Sequence, residues 1–386
     1  MSLMEVIFLV GASQAFFLAF LVFGKKNKST GDYVLSLWLA FIGLHLLNHY
    51  LLTTGFLFRY PHLLGIGIAF PMLQGPFLFI YILVMINKSG KFKPVYWLHA
   101  IPFLIFNLYF MFDFYFLSAP EKLAYYELKK TEPSLILLIM SFPNMIIAPI
   151  YVIWSLFKLR KHMKNIADNF SYTEQINLNW LKYVLVGIGF VSVIVMSANV
   201  LVESLPILSD GMHNHIIYLS ATIAVFFLGY FGIKQQAIYI NPPAIKNKKD
   251  SETTRSMKKE GVRYEHSSLK KTEAEKHLKK LLDYIENEKP YLNGKLSLKE
   301  VAEYIDVSVN HLSQVINEQL GKSFFDFVNE YRIREVKFRL SDSKNKQYTL
   351  LAIAYDSGFN SKSSFNNIFK KFTGITPTQY IKQQAA

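Results

Sequence analysis

Cysteine is absent from all 386 residues, which removes disulfides, zinc-thiolate sites and thiol nucleophiles from consideration together. Also missing are a phosphate-binding glycine loop, a His-Glu-x-x-His helix, a nucleophile elbow and any ATP-binding stretch of the histidine-kinase kind. The chain therefore reads as a non-enzyme that needs no cofactor and holds no metal. Acidic residues are few, 28 against 42 basic ones, for a formal net charge of +14. That excess fits an anionic partner, either nucleic acid or a membrane surface, without deciding between them.

The residues that are present divide the chain sharply. Seven apolar runs fill its first two thirds: Leu3–Phe23, Tyr33–Leu52, Leu64–Ile86, Trp97–Asp113, Leu135–Leu156, Tyr183–Val202 and Ile216–Ile233. Most approach the ~20 residues that a helix needs to cross ~30 Å of hydrocarbon. A soluble helical core would give such helices one polar face, and these are apolar all round. The first run is not a cleaved leader by its flanks, because Glu5 opens it and the lysines follow it.

Loop charges orient the spans. Lys25, Lys26 and Lys28 lie in the first loop, Lys88, Lys91 and Lys93 in the third, and Lys158, Arg160, Lys161 and Lys164 in the fifth. The second loop has Arg59, the fourth has lysines diluted by glutamates, and the sixth has no basic residue. The positive-inside rule then puts the odd loops in the cytoplasm and the amino terminus outside. Seven crossings leave the carboxy-terminal part in the cytoplasm, so the expected location is the inner membrane.

Ionisable residues inside the spans are expensive and are the candidates for a sensing site. His45, His49, Asp113 and Glu203 fall toward the outer half, where they could bind an unidentified stimulus ligand. Interhelical hydrogen bonding is the plainer account of the same residues. Between residues 234 and 273, paired prolines, mixed charge and scarce apolar residues read as a disordered linker. Residues 274–386 form the third domain. Its first helix carries Ala274, His277, Leu278, Leu281, Leu282, Tyr284 and Ile285 at helical spacing and should cover the core that follows.

Within that domain a pattern occurs twice. In the second copy, Leu350, Ile353 and Ala354 mark one helix, Gly358-Phe359 breaks it, and Ser361 opens another with Phe365, Ile368, Phe369 and Phe372 inward. In the first, Val301, Ala302, Asp306 and Val307 correspond to Ile353, Ala354, Gly358 and Phe359, one residue shorter than the spacing after the turn. Ser308, Leu312, Ile316 and Gly321 then correspond to Ser361, Phe365, Phe369 and Gly374. A helix-turn-helix that reads DNA needs a second helix with one apolar and one polar side. Asn310, Ser313, Gln314 and Asn317 supply the polar side in one copy, and Lys362, Ser363, Asn366 and Asn367 in the other. Lys322, Arg332, Lys370 and Lys371 are candidates for phosphate contact.

These motifs, above all IAYDSGFNSKSSFNNIFKKFTGITPTQY, resemble the DNA-binding domain of the AraC/XylS family of bacterial transcription regulators. The resemblance covers about the last hundred residues. It implies two helix-turn-helix units joined by the helix FVNEYRIREVKFRL, which would place two recognition helices in successive major grooves about 34 Å apart. Family members often have arginine where Gln314, Asn367 and Ile381 stand here. Asn and Gln suit adenine as arginine suits guanine, so contacts leaning to A·T are expected.

The expected architecture is all-α: a seven-helix transmembrane bundle over residues 1–233, a linker, and a double helix-turn-helix domain. The expected function is a membrane-embedded, sequence-specific transcription regulator whose bundle senses a stimulus. Double-stranded DNA and the membrane are its partners, with a homodimer and RNA polymerase as further ones. Two other readings stay open. One is a membrane transporter, receptor or enzyme with the helix-turn-helix module as a regulatory or docking appendage, and the other a structural tether between chromosome and membrane.

Overall fold

The computed structural model describes residues 2–26, 28–87, 92–131, 135–172, 178–203, 210–234, 271–345 and 347–385. Every regular element among them is helical, and the chain divides into two compact units. One comprises residues 1–161 and 178–240, the other residues 162–177 and 241–386.

In the first unit, α1 (Leu3–Phe23) and α2 (Thr30–Thr53) each begin with a capping box, Ser2 with Glu5 and Ser29 with Asp32, which satisfies the first orphan amides of both helices. Lys25 pairs with Asp32 at the turn between them. The two helices pack on each other and on α9 (Asp210–Lys234). Ser36 donates to the Ala19 carbonyl across the first interface, at 2.8 Å. Gly11 is what lets α9 approach, since a Cβ there would stand 2.6 Å from Thr222 Oγ1. Small residues of this kind bring helices together where no hydrophobic effect does. The remaining helices are α3 (Phe56–Arg59), α4 (Pro71–Ile86), α5 (Ile101–Phe110), α6 (Ala119–Thr131), α7 (Leu135–Asn169), whose residues from 162 on belong to the second unit, and α8 (Asn179–Glu203).

Five helical stretches among the described residues have the length and composition to cross a membrane: Leu3–Phe23, Thr30–Thr53, Pro94–Tyr115, Trp180–Ala198 and Gly211–Tyr230. The third apolar run differs from its expected form. Residues 64–70 make turns and only Pro71–Ile86 is helical, 16 residues in all. At 1.5 Å per residue that helix rises about 24 Å, short of a full hydrocarbon thickness. Pro71 is the cause, because proline is tolerated in the first turn of a helix and resists continuation before it. The fifth run lies in α7, whose side chains over residues 135–145 are outside the described set.

In the second unit, α10 (Lys271–Glu288) is followed by α11 (Leu298–Tyr304), α12 (Val309–Gln319), α13 (Phe324–Ser341), α14 (Leu350–Asp356), α15 (Lys362–Thr373) and α16 (Pro377–Ala385). Residues 235–270, most of the expected linker, lie outside the described residues. Two apolar cores organise the helices. Leu281 and Ile285 of α10 close the first over Val301, Ala302, Leu312 and Ile316, and the second gathers Ile353, Ala354, Phe359, Phe365, Ile368 and Phe369. The helix α13 belongs to both: Phe324, Phe327 and Val328 enter the first core, Ile333 and Val336 the second. An 18-residue helix shared in this way couples the two halves mechanically.

Candidate nucleic-acid interface

The two helix pairs, α11 with α12 and α14 with α15, are built by the same local chemistry. Ser297 caps α11 and Thr349 caps α14, each accepting from an amide three residues on. Each first helix ends at a residue with positive φ, Asp306 at 53° and Gly358 at 91°. The next amide then returns to the helix, Val307 to the Ala302 carbonyl at 3.0 Å and Phe359 to that of Ala354 at 3.1 Å. Ser308 and Ser361 cap the second helices through the amides of His311 and Ser364, at 3.1 and 3.2 Å. A repeated bond pattern of this kind fixes the angle between the helices in each pair. Asp306 bears the cost of the left-handed conformation with a Cβ, which Asp tolerates better than most residues.

Gly358 has a second reason to lack a side chain. A Cβ at that position would overlap the Tyr291 carbonyl oxygen and press on Nε of Arg332 at 2.9 Å. We expect Gly358→Ala to destabilise the domain by more than about 2 kcal/mol, because the left-handed penalty of ~1–2 kcal/mol adds to the overlap. Denaturant unfolding measures it, and Gly374→Ala, with φ 79° and open space around it, provides the backbone-only comparison.

The polar faces of the second helices point outward. On α15, Lys362, Ser363, Asn366 and Asn367 are all exposed, opposite buried Phe365, Ile368 and Phe369. On α12, Asn310 and Asn317 are exposed, while Ser313 and Gln314 are half-buried beside buried Leu312, Val315 and Ile316. The first face is already engaged along its own helix. Gln314 donates to Glu318 at 3.0 Å, and Asn317 to the Ser313 carbonyl at 2.9 Å. These amides must exchange those partners to reach a base edge.

Charge is unequal between the two helices. α12 contains no Lys or Arg and has Glu318, whereas α15 contains Lys362, Lys370 and Lys371. Of the phosphate candidates, Lys370 is exposed. Lys371 bonds Asp326 at 2.6 Å and Lys322 pairs with Glu330. Arg332 does not reach a phosphate. It is 2% exposed, and its guanidinium donates to the carbonyls of Tyr291 (2.8 Å), Asn293 (2.8 Å) and Ser171 (2.9 Å), to Asn329 Oδ1 (3.1 Å) and to Ser171 Oγ (3.0 Å). Burial lowers it to about 10, so it remains charged at neutral pH. A cation buried with its donors committed cannot meet a phosphate. The clue in the sequence was its register: Phe324, Val328, Arg332 and Val336 form one i, i+4 row facing the core.

Nearby, burial by itself would raise the Glu335 carboxylate, but hydrogen bonds from Arg339 (2.8 Å) and Lys289 (3.3 Å) outweigh it and hold the group below its ordinary value of 4.5. A depressed carboxylate contributes stability that is present above its unfolded value and lost as pH falls through the folded one. Acid unfolding of the domain below about pH 4.5 should therefore flatten in Glu335→Gln, as read by circular dichroism against pH. Asn360, which the sequence did not single out, joins the halves by donating to the Gly294 carbonyl at 2.6 Å.

In the first unit, His45 and His49 do come together, on one face of α2. His49 stacks on Tyr218 with ring centres 3.4 Å apart, His45 lies 5.0 Å from the same ring, and Phe8 packs edge-on to His49. His49 Nε2 is buried and has no hydrogen-bond partner in the protein. Asp113 has a different partner, accepting from the Tyr125 hydroxyl. The Glu203 side chain is outside the described residues. Among the described residues, no group of three or more His, Asp or Glu could hold a metal ion. A half-open apolar cavity of about 650 Å³ lies between α2, α4 and the 94–104 segment, lined by Phe41, Phe77, Tyr96, Trp97 and Phe103.

With this geometry in place, comparison with known proteins is informative about the carboxy-terminal third. Residues 301–383 match the family described as "Helix-turn-helix domain". An uncharacterized HTH-type transcriptional regulator of Staphylococcus aureus (strain COL) is 41% identical over 98 residues, which are 25% of this chain and 12% of that protein. The melibiose operon regulatory protein of Escherichia coli (strain K12) is 30% identical over 87 residues, 22% of this chain and 28% of its own length. The chain thus spans only a small part of the relatives it matches. No solved structure matches it. The chain carries an AraC-type helix-turn-helix domain at its carboxy-terminal end and is similar there to transcriptional regulators.

Proposed function

We propose that the protein is a membrane-embedded transcription regulator: the first unit spans the inner membrane, and the two helix pairs of the second read DNA from the cytoplasmic side. The observation that carries the reading is the duplicated helix pair, capped and turned alike, with amide- and hydroxyl-bearing residues outward in both copies. A docking appendage would not require equivalent reading faces. In this reading Asn310, Ser313, Gln314 and Asn317 meet one major groove, and Lys362, Ser363, Asn366 and Asn367 the next, with A·T-leaning contacts.

Membrane embedding is supported by the apolar helices and by their outward side chains. Phe20 is 73% exposed, Phe112 72% and Phe190 67%, which water would not tolerate together over so many neighbouring positions. In this reading the seven apolar runs are the spans, and the loop charges orient them with the amino terminus outside. The bundle serves as the sensor, and the aromatic cavity favours an apolar stimulus over an ionic one. A homodimer and RNA polymerase are further partners of this reading.

The charge difference between α12 and α15 carries a prediction. Lys370→Ala should weaken binding to all sequences alike and reduce the slope of log affinity against log salt by about 0.9. Gel-shift titration across salt concentrations reads both quantities. The function as a whole is tested by genome-wide occupancy of the full-length protein together with fractionation. Discrete promoter sites bound by a membrane-fraction protein are expected. Occupancy spread without transcriptional response would favour a chromosome tether instead.

A further inference from the structure

Residues 162–177 lie between two helices of the first unit in sequence, yet they belong to the same compact unit as the carboxy-terminal domain. Ser171 is the centre of this contact and is 1% exposed. Its amide and its hydroxyl both donate to the Leu296 carbonyl, at 3.1 and 2.6 Å. Its carbonyl accepts from Arg332 Nη1 at 2.9 Å and from Asn329 Nδ2 at 3.1 Å, and its Oγ accepts from Arg332 Nη2 at 3.0 Å. Phe170 pairs with Ser297 in an antiparallel bridge immediately before α11. A residue with every polar atom committed to one partner surface is docked there specifically, since five separate bonds need one geometry.

The place where it docks is the joint of the domain. The 290–296 turn leads into the first helix pair and, through Tyr291 and Asn293, receives Arg332 of α13. The same turn receives the second helix pair through Asn360 on Gly294 and through the close approach of Gly358 to Tyr291. Ser171 therefore holds Arg332, which ties the shared helix to this turn through the Tyr291 and Asn293 carbonyls. The reading residues on α12 and α15 are left outward.

We propose that residues 170–172 are the input arm of the regulator, an intramolecular docking segment that seats in the seam between the two helix pairs and sets their relative position. The occupant is this chain's own loop between α7 and α8. The inference rests on the DNA-binding reading. Charge supports it independently: Lys158, Arg160, Lys161 and Lys164, in the last turns of α7 before that loop, place it on the same side of the membrane as the carboxy-terminal domain. A change in the bundle that pulls on α7 or α8 withdraws Ser171, returns two Arg332 donors and Asn329 to water, and loosens the joint. By linkage, DNA binding then alters the seating in turn.

The absence of native cysteine makes the test clean. Phe170→Cys with Ser297→Cys places a pair on opposed bridge residues, a separation that suits a disulfide. The full-length variant in native membranes is oxidised, and closure is read as loss of reaction with maleimide-polyethylene glycol. Its affinity for the genomic fragment recovered with the parent protein is then compared before and after reduction. We expect efficient closure and at least a fivefold difference in affinity between the two states, the lower end of usual allosteric couplings. Failure to close overturns the inference, as does closure with unchanged affinity, which would make the contact merely structural. If the reduced protein itself binds no specific fragment, the DNA-binding reading fails instead.

Discussion

Replacing Ser363, Asn366 and Asn367 together by alanine should lower specific DNA affinity by about 3 kcal/mol or more, on the order of a hundredfold, while non-specific binding changes little. All three are exposed on α15 opposite a buried apolar face, so the substitutions leave the fold intact. Each well-placed amide contact to a base discriminates by roughly 1–3 kcal/mol, and the lysines proposed to supply sequence-independent affinity remain. Asn310→Ala with Gln314→Ala should cost less, because Gln314 gives up its bond to Glu318 before it can reach a base. Footprint titration on one selected site gives both values. Equal losses on specific and random DNA would assign these residues to the backbone rather than to the bases.

The second large effect is expected at Arg332. Arg332→Met removes five donated bonds and leaves the Tyr291 and Asn293 carbonyls without their buried donor. Leaving buried acceptors without a donor costs roughly 1–3 kcal/mol each, which over several acceptors is enough to unfold much of a marginal domain. Arg332→Lys should not rescue it, because a single ammonium cannot span carbonyls that the planar guanidinium meets at both ends. Hydrogen exchange on the full chain is the measurement, with protection lost first in α11 and α13. A variant as protected as the parent would show that the packing around Val328 and Val336 holds the joint without the charge.

These two sites differ in how far they could be read in advance. The helix pairs were legible because their signals are local: serine or threonine caps, a turn at Asp306 or Gly358, and an apolar stripe at helical spacing. The same locality exposed Asn366 and Lys370. Arg332 is harder to read, because a charged residue on a helix rich in Arg and Lys looks like a phosphate contact until its row of apolar neighbours is considered. Its partners, at Tyr291, Asn293 and Ser171, are distant in sequence, and Ser171 lies in a loop with no periodicity to mark it. The apolar runs are visible by composition alone, but composition says nothing of where a helix starts, and the third run extends past the helix that begins at Pro71. His45 and His49 share a face by spacing, whereas their meeting with Tyr218 of α9 is a tertiary fact. Asp113 lies at a similar depth in the sequence pattern, but its carboxylate accepts from Tyr125.

The most direct test of the account is hydroxyl-radical footprinting of the full-length protein in lipid nanodiscs on a genomic fragment it selects. Two protected blocks on one face of the duplex, one helical turn or about 10 base pairs apart, are expected, with the block assigned to α15 weakened by alanine at Ser363, Asn366 and Asn367. A single block, or two on opposite faces, would contradict a domain that lays both helix pairs along one double helix.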